Sequence, residues 1–585
     1  MTVVRTTLSL LAALSMLVLS ACAPKCDAST CKGCCDAKGV CQSLSATTCG
    51  IDGAACNVCI GAQSCQAGVC AAGGGTGGGS AGGGTGGGAA GGSGGGAAGG
   101  TGGGAAGGTG GGTGGGAAGG GTGGAGILVT GIAPTHFIQG ATETVVPWNP
   151  AALPIAAYTL SGGTFTQAPV TPSGDGGFSF SVPSVPYFVG IGKGWLVTDA
   201  TTLDLGTNHQ GHPGQGPAPD AGASVDVTAT GLAPWDDVND LLQVASEAVF
   251  EQGSLSGTLA AGVTSCTNSS FTYSSLTSVT ALDAAHGDTA VVSQVRTSPL
   301  PTDAGTFAAC SGIIASGETG PVSLPAPNAQ LTVSLAPVTQ QSVSLDWRGS
   351  AWLALASQVH PAASASYPYA TIVGIPGGLG RGYVGYLSEL LSCDLTDQPD
   401  GVVQVRYGNP RAAWGEQSSA GMTYFVPVQL PAPATRGDAY GFASSTGPSI
   451  LSAPLVPVMG TPRSLAVDSR PAQGAPLTLG SATPLVSWLA PTSGTPTFYR
   501  VTVEELYLLP ASNRTRTRLA GDVVVPAAQT QVRLPPGLLT AGKSYVLRVD
   551  ASDAAGGAFS PASSPWYDAL TDHQADALSS QLNLP

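Results

Sequence analysis

The sequence predicts a mainly β protein: a multidomain antiparallel β-sandwich architecture with a small disulfide-rich N-terminal module and a disordered glycine-rich linker. Three observations carry this. From Ile127 onward, apolar residues fall in short runs separated by Gly, Pro, Ser, Asp and Asn, and the spacing is mostly too tight for crossover helices, so packed antiparallel sheets are the natural solution. Ten cysteines crowd the interval from Cys26 to Cys70, where apolar side chains are too few to build a core. Residues 71–126 contain only Gly, Ala, Thr and Ser, a composition that cannot repay the backbone entropy of folding.

Composition narrows the function classes. Of 585 residues only 9% are charged, far below the roughly 25% of an ordinary globular domain, and the length predicts about three or four domains. Lys and Arg number 20 against 34 Asp and Glu, a net charge of -14. Such a chain has no basic field with which to gather phosphates, which excludes nucleic acid as a partner.

Residues 1–21 read as an export signal: Arg5, an apolar run from Leu8 to Leu19, then small residues. The run is too short for a good spanning helix. Leu19, Ser20, Ala21 and Cys22 resemble the bacterial lipobox. The resemblance implies that the Cys22 thiol is acylated, that cleavage makes Cys22 the first residue, and that buried acyl chains hold the protein at a membrane. Ala23 stands where an Asp would resemble an inner-membrane retention signal, which points to the outer membrane if the source is Gram-negative. An ordinary signal peptide with Cys22 in a disulfide is the alternative.

Residues 22–70 form the cysteine-rich module. Cys26, Cys31, Cys34, Cys35, Cys41, Cys49, Cys56, Cys59, Cys65 and Cys70 are an even set in an exported segment, the signature of a disulfide framework whose connectivity spacing does not reveal. Vicinal Cys34 and Cys35 are expected to bond different partners, since a vicinal bridge is strained. The C-x2-C pairs Cys31/Cys34 and Cys56/Cys59 leave a thiolate metal site as the alternative. The linker that follows, treated as a flexible coil, spans about 40 Å. It is a tether.

The body divides into a β unit over 127–200, a Gly/Pro/His loop over 201–219, a larger β-rich region over 220–460, a module over 461–565 and a tail over 566–585. Strand candidates include GFSFSV (177–182), YFVGIG (187–192), SVDVTATGL (224–232), FTYSSL (271–276), TAVVSQV (289–295), AQLTVSL (329–335), QSVSLDW (341–347) and GVVQVRYG (401–408). Two segments read otherwise. RGSAWLALASQV (348–359) reads as a helix, and PWDDVNDLLQVASEAVF (234–250) as a helix or as a loop ending in a strand. Cys266 and Cys310 are a possible disulfide across the intervening strands, leaving Cys393 unpaired.

The stretch PSGDGGFSFSVPSVPYFVGIG (172–192) weakly resembles the carboxypeptidase-regulatory-like sandwich. The 461–565 module resembles a fibronectin type III domain on firmer anchors. Trp488, in PLVSWLAP, stands as the plug between two sheets. FYRVTVEEL puts Tyr499, Val501 and Val503 on one strand face and Arg500, Thr502 and Glu504 on the other. Tyr545, after Leu539 and the Ala541-Gly542 turn, stands where that family keeps its tyrosine corner. The whole arrangement, lipobox, C-x4-C-x2-CC-x5-C head, glycine tether and β body, resembles the cysteine-rich surface lipoproteins of myxobacteria, which implies an address and an architecture more than a mechanism.

Chemistry is sparse. His209 and His212, in NHQGHPG near Asp204 and Asp220, are weak candidates for binding a borderline metal. They lack the helical register of H-E-x-x-H, and a solvated loop is the plainer reading. His136, His286, His360 and His573 are scattered. The acidic cluster Asp236, Asp237, Asn239 and Asp240 offers calcium a low-grade site without the rest of an EF-hand loop. GGLGRGYVGY (377–386) has neither Walker lysine nor dinucleotide spacing. No catalytic residue and no cofactor is assigned. The sequence therefore predicts a surface-anchored lipoprotein with a structural, adhesive or ligand-binding role toward protein or polysaccharide. Exposed clusters among Trp195, Trp235, Trp347, Trp352 and Trp414 would favour polysaccharide. The alternative is a surface hydrolase with a divergent site in 220–460, which a carboxylate beside His286 or His360 would favour.

Overall fold

The computed structural model describes strand pairs at 34–35, 41–42, 63–66 and 69–72, and residues 126–585 apart from 140–141, 215–222, 247–251, 258, 276–281, 301–307, 325–328, 376–387, 412–414, 448–449, 511, 555–558 and 564–570. The chain is mainly β, as expected. In the cysteine-rich module Cys34–Cys35 pairs with Cys41–Gln42, and Gln63–Gln66 with Val69–Ala72. Disulfide pairing in that module, Cys22 and almost all of the linker lie outside the described residues.

Alternating sequences become strands where one face meets a core. Gly177–Val182 buries Phe178, Phe180 and Val182. Tyr187–Ile191 and Gly194–Thr198 read as nearly continuous apolar runs, and both faces are covered: Phe188, Trp195 and Val197 enter one core, Tyr187, Val189 and Leu196 another. The 348–359 segment does form helix, in two short pieces, Gly349–Leu353 and Ala356–Val359. Trp352 anchors the first piece, stacked on Trp347 at 6.0 Å with its indole N–H donating to the Leu455 carbonyl. The 234–250 segment resolves as loop then strand, Asp240–Ala245.

Strand pairing joins the three β regions into one sheet of 22 strands. Its path starts at Thr164–Ala168 and runs through Ile155–Ser161, Tyr187–Ile191 and Gly194–Thr198. A parallel joint, Gly194 to Leu196 against Asp522 to Val524, carries it into Arg514–Pro526, Phe498–Leu509, Lys543–Ala554 and Thr571–Leu578. It continues through Gly437–Gly447, Gly415–Val428, Ser364–Ile375, Ser388–Asp394, Ala308–Pro321 and Thr289–Leu300. It reaches Asp240–Ala245, Gln252–Ser256, Ser265–Ser275, Ala223–Thr230 and Ala329–Ser334 at the far end. Smaller sheets pack on this one. Arg463–Val467 and Leu485–Leu489 belong to the four-stranded sheet that closes a sandwich around Trp488 and Tyr499, whose rings meet edge to face at 5.2 Å.

Three expectations need correcting. Residues 566–585 are no tail: Thr571–Leu578 is a central strand between Lys543–Ala554 and Gly437–Gly447, and Leu582–Leu584 pairs with Lys543–Ala554. The 201–219 loop contains two strands, Thr202–Asp204 and Thr207–Gln210. Cys310 is bonded to Cys393, its direct cross-strand partner, and not to Cys266. Cys266 is a free thiol buried in a separate core, pointed at the Val227 carbonyl. Trp195, Trp235, Trp347 and Trp352 are core side chains with at most 7% exposure, so these four do not meet the condition that would favour polysaccharide; Trp414 lies outside the described residues.

Candidate functional site

Four of the six histidines, drawn from three separate stretches of the chain, lie on or beside one seam. Thr135–Gln139 pairs in parallel with Thr207–Gln210, which sets His136 beside Asn208 and Phe137 beside His209. The His209 ring stacks on Phe137, and burial pushes its proton affinity down. Gly211, at φ +123°, turns the chain away. His212 therefore goes to different partners from His209.

Those partners come from the 220–460 region. Asp283 caps a single 3-10 turn, Ala284–His286, by accepting the Ala285 N–H, and Gly287 ends the turn in the left-handed region. The turn holds His286 Nδ1 at 2.9 Å from Asp283 Oδ2. The Ala285 N–H and then His286 keep the Asp283 carboxyl below its ordinary range. Two residues on, Asp288 is fully buried. Its Oδ2 accepts from the Asp283 N–H at 2.9 Å and lies 3.2 Å from His212 Nε2, while Oδ1 accepts from Gln139 Nε2 at 3.2 Å. The His212 and His286 rings stack at 4.1 Å, 20° from parallel. His212 Nδ1 in turn lies 3.1 Å from the Pro213 carbonyl.

The seam sets two imidazole rings against two carboxylates, Asp283 and Asp288. Among the described residues, no three His, Cys, Asp or Glu side chains come together as a metal cradle. His209 and His212 are not presented as a ligand pair, Asp204 accepts the Gly206 N–H, and Asp220 is outside the described residues. The acidic cluster is likewise engaged. Asp240 takes a bidentate Arg296, with Nε to Oδ1 and Nη2 to Oδ2 each at 2.7 Å, plus the Gln294 amide. Asp236 accepts from the Val238 and Asn239 N–H groups and the Asn239 side chain.

His360 is buried against Ser580, 2.9 Å from Nε2 to Oγ. The pair is wired for structure. Nδ1 accepts the Ala362 N–H, so in the neutral ring the proton sits on Nε2 and is donated to Ser580, whose hydroxyl donates onward to the Gly474 carbonyl. A nucleophile would need the opposite polarity.

A second buried polar cluster lies in the C-terminal sheet, on the face away from Tyr499, Val501 and Val503. Asp550 stands directly opposite Asp576 across neighbouring strands, and Arg548 Nε is 3.6 Å from Asp576 Oδ2. Arg500 approaches Asp522 at 3.7 Å. Burial, with the Asp550 carboxyl nearby, pushes the Asp576 carboxyl far up against the pull of Arg548. Tyr545 lies near the start of Lys543–Ala554, the strand that also carries Arg548 and Asp550, and its hydroxyl accepts the Thr540 N–H at 2.7 Å.

Sequence reasoning found His212 and His286 separately but had no signal for Gln139, Asp283 or Asp288. Only the fold brings them together. No helix among the described residues is long and apolar enough to cross a membrane. No family model matches the chain, and no curated protein matches it. Among solved structures, the FN1–FN3 domains of chicken CNTN1 are 9% identical over 51% of this chain and 96% of that chain, at a TM-score of 0.13; a likeness of that size carries no argument.

Proposed function

We propose that this chain is a surface lipoprotein, anchored through Cys22 to the outer membrane, that displays a β-rich body on a glycine tether for a structural, adhesive or ligand-binding role toward protein or polysaccharide. One observation carries the reading: the three β regions share one continuous sheet, so the tether presents a single body to whatever it meets. A fibronectin type III-like character for 461–565 belongs to the same proposal, supported by the buried Trp488–Tyr499 contact and the Tyr545 hydroxyl bonded back to Thr540. Of the polar groups that invited chemistry, Asp236, Asp240 and His360 are engaged in structural hydrogen bonds. The test is fractionation and adhesion of cells carrying wild-type or Cys22→Ala chain. Membrane retention and adhesion that both vanish in the variant support the reading; a variant that remains in the membrane and adheres normally overturns it.

The hydrolase alternative draws on one pair, Asp283 with His286, because a carboxylate that orients an imidazole is half of a nucleophile-activating set. Both side chains are about half exposed, 46% and 51%, where water screens their interaction. Ester or glycoside hydrolysis by the purified full chain, abolished by His286→Ala, would establish this reading.

A further inference from the structure

We propose that the His212–Asp288 seam is a proton-operated clasp that tightens the junction between the 127–200 unit with its 201–219 extension and the 220–460 region when His212 carries a proton on both ring nitrogens. The argument is one of hydrogen-bond parity. Both ring nitrogens of His212 face acceptors, the Pro213 carbonyl through Nδ1 and the Asp288 carboxylate through Nε2. A neutral imidazole carries one N–H and satisfies one of them; an imidazolium satisfies both. Asp288 is fully buried, and its other partners, the Asp283 N–H and the Gln139 amide, are neutral donors. Without a proton on His212, a buried carboxylate at the junction lacks a cation.

The remaining charged groups at the seam are consistent with uptake. Across the stack, His286 faces His212 at 4.1 Å, and its own carboxylate Asp283 is 2.9 Å from its Nδ1. Two imidazolium rings stacked so closely repel each other, but the four groups then sum to zero charge, against two negative charges when both rings are neutral. Gln139, on the strand Thr135–Gln139, is the uncharged member that ties the same carboxylate to the first unit. The clasp thus links regions that the main sheet joins only by its long path through the C-terminal strands.

The experiment is hydrogen exchange read by mass spectrometry on the full chain in detergent, at pH 6 and pH 8, with rates corrected for intrinsic pH dependence. Peptides covering 135–139, 207–214 and 283–288 are expected to be protected roughly threefold or more better at pH 6, the scale of a partly buried charge-assisted contact. Peptides from the Phe498–Leu509 strand serve as the reference. His212→Gln keeps a donor toward Asp288 without titrating and should remove the pH dependence at the seam; Asp288→Asn should bring pH 6 protection down to the pH 8 level. Equal wild-type protection at the two pH values overturns the clasp without recourse to any variant, as does a His212→Gln chain that keeps the wild-type profile.

Discussion

Cys310 and Cys393 stand directly opposite each other on neighbouring antiparallel strands, Cα atoms 4.0 Å apart, joined by a disulfide that spans 83 residues of chain. The bond closes a loop holding the two short helices and the Gln340–Trp347 and Ser364–Ile375 strands. Replacing both cysteines by Ala is expected to cost about 4 kcal/mol, mainly through the freed unfolded chain, measured as a lowered denaturant midpoint. Peptide mapping should recover Cys310 linked to Cys393. Buried Cys266 should react with a thiol reagent only after unfolding.

Asp550 and Asp576 predict an unusual pH response. A carboxyl whose folded affinity for protons is raised contributes stability that is whole below the ordinary carboxyl range and lost as pH climbs toward 8. Asp576→Asn imitates the protonated form. Its Tm should therefore gain on wild type at pH 8 relative to pH 5, and parallel melting curves at the two pH values would contradict this placement of the proton.

His360 acts in the opposite direction. Burial lowers its proton affinity, so the neutral ring favours the folded state above pH about 6.5, and that stability is lost as pH falls below this value toward the lowered folded one. In His360→Gln the acid-side decline of Tm between pH 6.5 and 5 should be shallower than in wild type.

Tyr545 is tested more simply. Its hydroxyl accepts from the Thr540 N–H and donates to the Thr540 carbonyl, so Tyr545→Phe should cost about 1–2 kcal/mol, the penalty of stranding a backbone donor. A neutral result by denaturant unfolding would show that water takes over both bonds.

What the sequence reveals here is local. GFSFSV and YFVGIG announce strands because their burial pattern is written in adjacent residues. TDHQADAL does not read as a strand because it is polar: Asp576 is buried on one face, and the buried apolar residues are only small Ala575 and Ala577 on the other and Leu578 at the strand end. The parallel joint at Trp195 and Val523 has no signal at all, since each strand reads alike whatever its neighbour. The same limit applies to cysteines, whose spacing cannot distinguish Cys266 from Cys393 as the mate of Cys310, and to the seam, whose histidines and Asp288 share neither a motif nor a period.

The display reading stands or falls on Cys22. Mass spectrometry of the N-terminal peptide from membranes of the native host measures it directly. The reading predicts a peptide that begins at Cys22 and carries acyl chains. A peptide that begins elsewhere, or an unacylated Cys22, would contradict it.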